Sequence, residues 1–249
     1  MLNNVIIITI ASILIGMYIF ISIQNKKWPL IRVMSWVLGV VMAASVMIQP
    51  WAAMFHHHFD MHIYGHLLLG MGAPLLMVLA QPVTLLLKTV PVQSARQISK
   101  LMKSRYVTFI THPIIAVLLN TGGLWLLYRT QLFSMMHESM IIYYAVHVHI
   151  FLAGYLFTAV MLQLEPTAHP YSFKYRSIIM IISVALHQIL SKSFYPYPPV
   201  GVDKHLAEQG AIIMYYGGDI IELIIIFIMC KQWYHSARPE KNKMLSENY

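Results

Sequence analysis

The stretch HHHFDMHIYGH (56–66) places His58, His62 and His66 at i, i+4 and i+8, so on a helix they form one stripe with about 6 Å of rise between neighbours. Imidazole nitrogens at that spacing can hold one metal ion, and Asp60 or Met61 offers oxygen or sulfur beside them. The competing reading is an interfacial polar stripe bonded to loops and lipid headgroups, and it applies most to His56 and His57. Three later apolar runs carry further groups that are costly in lipid unless they face a bundle interior: His147 and His149, then His187, then Asp219 and Glu222. His147 and His149 point about 200° apart on a helix, so one of them faces a shared site and the other does not. Asp219 and Glu222 share a face at i, i+3. A carboxylate there serves a structural hydrogen bond to imidazole or, equally, the orientation of a metal-ligating one; Glu222 is the weaker choice and has a neighbouring helix as its alternative partner. Met54, Met61, Met135, Met136 and Met140 fall near the same histidines. Thioether with imidazole suits copper(I) better than magnesium or calcium, although methionine is also routine lipid-facing filler.

These groups have to be positioned by helices in a bilayer. Of 249 residues 58% are hydrophobic and 10% charged, and the mean hydropathy is +0.64. Soluble domains carry about 25% charged residues, which excludes an ordinary water-soluble fold. Apolar stretches at 4–23, 30–50, 61–87, 109–128, 139–163, 175–194 and 210–232 suffice for seven crossings, the fourth being the shortest. Pro74 and Pro82 predict a kink in the third, or its end near Ala80. The expectation is an all-α polytopic membrane protein, a seven-helix bundle over residues 1–235 with a polar cytoplasmic tail at 236–249.

Counting Lys and Arg by side puts fourteen on the side of the odd-numbered loops and the C-terminus, against Arg129, Lys192 and Lys204 on the other. That asymmetry predicts the N-terminus outside and the C-terminus in the cytoplasm, and it accounts for the net charge of +8 without nucleic acid as a partner. No basic residue precedes the first run, and Lys26 and Lys27 follow it, so it reads as an anchor inserted N-end out rather than a cleavable signal. The segment from Lys88 to Arg105 reads as a basic surface helix on anionic lipid. Ten of thirteen histidines then fall in the outer half, so a site, if present, faces outward. The lone Cys230 excludes an intrachain disulfide and any Cys-rich metal cluster.

The stretches FDMHIYGHLLLGMGAPLLMVLAQPVTLLL (59–87), HVHIFLAGYLFT (147–158), ALHQIL (185–190) and LAEQGAIIMYYGGD (206–219) resemble, in order, blocks of the seven-span cytochrome c oxidase assembly factors called CtaG, of the type found in Bacillus. Asp219 stands where many relatives carry Glu, which keeps a carboxylate in place. The resemblance implies a non-enzymatic membrane protein of the bacterial plasma membrane that matures a haem–copper oxidase, with oxidase subunits as partners and copper held on the outer side. Carried over by position, it favours His62, His66, His147, His187 and Asp219 as metal-site residues, with His149 and His58 second. Two alternatives of other classes stay open. One is an intramembrane zinc hydrolase with three histidines around zinc and Asp219 as base; the other is bis-histidine haem binding between two helices.

Overall fold

The computed structural model describes residues 2–167 and 169–237, leaving aside the side chains of Leu2, His56 and His57. The expected tail at 236–249 lies outside the described residues beyond Ala237. Among the described residues the regular structure is all helical, and six helices are long and apolar enough to cross a membrane by length and composition. They are α1 (Leu2–Gln24), α2 (Leu30–Met47), α3 (Phe59–Thr89), α5 (Met140–Leu162), α6 (Phe173–Lys192) and α7 (Lys204–Ala237). Where the fourth crossing was expected, the apolar helix α4 (Pro113–Arg129) has 17 residues. That gives about 26 Å of rise, short of a hydrocarbon core of about 30 Å.

Contacts between helix ends sort the bundle into two ends. At the first, Asn3 donates to the Tyr144 hydroxyl, Asn4 pairs with Gln49, and Phe59 packs edge-on to Phe133 and Phe194. At the second, Asn25 donates to Thr89, Arg176 to the Met161 carbonyl, and Phe173 stacks on Trp233. Helix α4 runs between them: His112 meets Tyr171 and Tyr175 at the second end, and Arg129 binds the Tyr197 carbonyl and the Ser193 hydroxyl at the first. It thus runs from one end of the bundle to the other, as the expected fourth span would, although it is shorter than the six. Lys26, Lys27, Lys88, Arg96, Lys100 and Lys174 all belong to the second end, which is the charge segregation that the sequence shows.

Helix α3 is interrupted twice. Pro74 has no N–H for the Gly70 carbonyl, and a π-turn at Leu68–Gly72 precedes it. At Gln81 the backbone turns left-handed, with φ 54°, and the helix restarts at Pro82, which confirms the expected break near Ala80. Both sides of the break are capped from elsewhere. The Tyr18 hydroxyl donates to the Ala80 carbonyl at 2.6 Å, while the Glu165 carboxylate accepts from the Val83 and Thr84 N–H groups at 2.9 and 2.7 Å. Helices α3 and α5 come together through small residues, so close that a Cβ on Gly154 would overlap the Gly70 carbonyl. Beside this contact, His66 and Ile150 also crowd Gly70.

Candidate metal centre

Helix α3 buries His62 and His66 on one face, since four residues return the chain to nearly the same side. Helix α5 brings His147 opposite them, with its ring centre 6.2 Å from that of His62 and edge-on to it. The Nδ1–H of His147 donates to the Tyr143 carbonyl at 2.8 Å, which fixes the tautomer whose lone pair is on Nε2. Both His147 and His187 lie in the neighbourhood of His66. The ring of His187, on α6, is packed against the bare Cα of Gly218 on α7, and its Nδ1 lies 3.4 Å from Glu222 Oε1. Tyr128 of α4 closes the group, its ring 6.1 Å from His62 and 6.5 Å from His66. Each of these side chains is at most 6% exposed.

Buried imidazoles and hydroxyls are costly without partners. Yet neither nitrogen of His66 makes a hydrogen bond, nor does the Tyr128 hydroxyl, and the Glu222 approach to His187 is a contact rather than a hydrogen bond. The donor set is therefore of the kind that a soft or borderline cation would satisfy. An imidazole nitrogen ligates at about 2.0 Å and lies about 1.1 Å from its ring centre, so two rings on one ion have centres at most about 6.2 Å apart. His62 and His147 stand at that limit. Among the described residues no three His, Cys, Asp or Glu side chains close into a metal-holding group. Binding one ion through three of them thus requires the rings to rotate inward.

Of the residues expected from sequence, His62, His66, His147 and His187 are brought together. Three others are not. His58 is exposed at the start of α3. His149 turns away from the group and donates from Nε2 to the Leu119 carbonyl at 3.0 Å, where a π-turn at Leu118–Gly122 disturbs the helical bonding of α4. Asp219 is half-buried and accepts from the Gln188 amide, whereas Glu222, one turn on, is the buried carboxylate facing His187. The sequence reading favoured Asp219 and made Glu222 the weaker choice, whereas the position of α6 sets Glu222 against His187 and Asp219 against Gln188. Tyr128 and Gly218 escaped the sequence reading altogether. A hydroxyl-bearing ring inside a short apolar helix was the available signal for the first, but a glycine beside an acidic residue gave none for the second.

The profile described as cytochrome c oxidase caa3 assembly factor (Caa3_CtaG) matches residues 16–236. An uncharacterised protein of Mycobacterium bovis is 31% identical over 156 residues, covering 57% of this chain and 23% of its own length. An uncharacterised protein of Mycobacterium leprae is 24% identical over 242 residues, covering 84% of this chain and 35% of its own length. The chain thus spans about a quarter to a third of these relatives. No solved structure matches.

Proposed function

Because this chain belongs to the cytochrome c oxidase caa3 assembly factor family, we propose that it takes up copper at the buried histidine group and passes it to an oxidase subunit on the outer side of the bacterial plasma membrane. The observation that carries this reading is the meeting of four buried imidazoles from α3, α5 and α6, with the Glu222 carboxylate behind His187. Imidazole suits copper, and a group assembled from separate helices can alter its coordination by small helix or ring movements, as transfer to a partner demands. The ion is cargo in this scheme. His147 presents Nε2 because its Nδ1–H is held by the Tyr143 carbonyl, and Glu222 orients His187 as second-sphere carboxylates orient ligating histidines. Phe133 and Tyr128 pack edge-on against His62 at 5.1 and 6.1 Å.

The test is the metal content of detergent-purified protein after reconstitution with copper(I) or zinc(II), for wild type and for His62→Ala/His66→Ala. Near-stoichiometric copper in wild type, lost in the double variant, is the expected result, followed by copper-deficient oxidase in cells carrying that variant. Tighter retention of zinc, or copper binding indifferent to both substitutions, overturns the reading.

A further inference from the structure

At the second end of the bundle, α4 begins beside a basic cleft far from the buried histidines. The cleft has a volume of about 670 Å³, and its polar wall is Lys103, Arg105, Thr108, His112, His169 and Tyr171, with no Asp or Glu. Lys103 and Arg105 are exposed, and neither forms an ion pair among the described residues. Lys103 also borders a second cleft, whose polar wall is Lys88, Arg96, Ser99 and Lys100, again with no acid. The first cleft has an apolar side as well. Phe109 and Ile114 line it and are 63% and 45% exposed. Leu118, one turn beyond Ile114 on the same face of α4, is 59% exposed and continues that surface toward the middle of the helix. The two sides are held in place by His112, whose ring lies edge-on to Tyr171 and Tyr175 at 5.5 and 6.2 Å between ring centres.

We propose that this cleft holds one anionic phospholipid, with its phosphate against Lys103 and Arg105 and an acyl chain along Phe109, Ile114 and Leu118. Charge selects the headgroup, because cations without an opposing carboxylate next to a membrane-spanning helix favour an anionic lipid over a zwitterionic one. The apolar surface that leads from the cleft along α4 selects a lipid over a free anion. The length of α4 points the same way. Its 17 residues fall short of the hydrocarbon core, and a short span is accommodated by drawing headgroups inward at its end. The surface helix Val92–Met102 attracts anionic lipid diffusely, whereas this lipid has one place and one stoichiometry. It pins the start of the helix that carries Tyr128 into the buried group.

The test uses the full chain, stripped of lipid in detergent and titrated with phosphatidylglycerol or phosphatidylcholine, with bound lipid counted by native mass spectrometry. One tightly held phosphatidylglycerol per chain is expected, and no phosphatidylcholine. Lys103→Gln/Arg105→Gln is expected to weaken that binding by about tenfold or more. Arg96→Gln/Lys100→Gln removes the same charge from the surface helix alone and is expected to leave the tight lipid in place. All four side chains are exposed, so the fold is kept in both variants. Inorganic phosphate in excess is expected not to displace the lipid. Equal losses in the two double variants would reduce the binding to the general attraction of a basic surface and overturn the site. Retention of phosphatidylcholine as tight as that of phosphatidylglycerol, or displacement by inorganic phosphate, overturns it as well.

Discussion

Glu222 and Asp219 differ by one helical turn and divide the work between them. Glu222 faces His187 from a buried position, and Asp219 is engaged by Gln188. Removing a carboxylate behind a ligating imidazole weakens metal affinity by about 10- to 100-fold. Glu222→Gln is therefore expected to lower copper(I) affinity by that factor in chelator competition, and Asp219→Asn by much less. Equal losses in the two variants would contradict the assignment. Gly218→Ala gives a second handle, since a methyl there would occupy the place of the His187 ring. It should release copper without altering any donor, whereas Gly16→Ala, with open space around it, should leave binding unchanged. The sequence singled out His62, His66, His147 and His187, which the structure buries, because an imidazole in an apolar run is conspicuous. It left His147 and His149 tied, since a 200° separation says that one faces inward without saying which. The tie is broken by α4, whose Leu119 carbonyl captures His149.

Helix α3 has to be held on both sides of its break, and the clamps come from distant parts of the chain. Glu165 satisfies two N–H groups at the restart of the helix and also takes the Thr84 hydroxyl. Glu165→Ala strands those donors, which costs about 1–3 kcal/mol for a buried group, so a lower melting temperature in detergent is expected with copper stoichiometry kept. The Gly70–Gly154 contact is the second vulnerable point. Gly154→Ala forces α3 and α5 apart at about 1–3 kcal/mol for an overpacked methyl, and should lower both the melting temperature and copper retention, because His66 folds over Gly70. Seven apolar runs were legible from hydropathy, and the Pro82 break was legible from proline chemistry. The π-turns were not, because an extra residue in a helical turn leaves no mark on apolar periodicity over so short a stretch. The fourth run began near 109 in the sequence but starts at Pro113 in the structure, where His112 takes extended backbone before the proline.

Across the described residues, most histidines lie toward the first end and most basic residues toward the second. Facing the basic end to the cytoplasm is the orientation that positive charges impose on insertion. It can be mapped in a Cys230→Ser background, since Cys230 is the chain's one cysteine. Gln131→Cys and Asp203→Cys, both exposed at the histidine end, should react with an impermeant maleimide in intact cells. Lys100→Cys should react only after permeabilisation, and labelling in the reverse pattern would invert the topology. The basic surface helix Val92–Met102, which buries no residue among its own, is in place to meet anionic headgroups at that end.

The π-turn at Leu68–Gly72 separates the histidine-bearing part of α3 from the part that carries Pro74. One residue more than an α-helical turn requires is housed there, and one residue corresponds to about 100° of helix rotation. If the turn tightened to α-helix with that residue kept, His62 and His66 would swing together off the bundle axis by about that angle. The angular phase of the histidine stripe thus depends on a widened turn that takes up one residue without passing its rotation on.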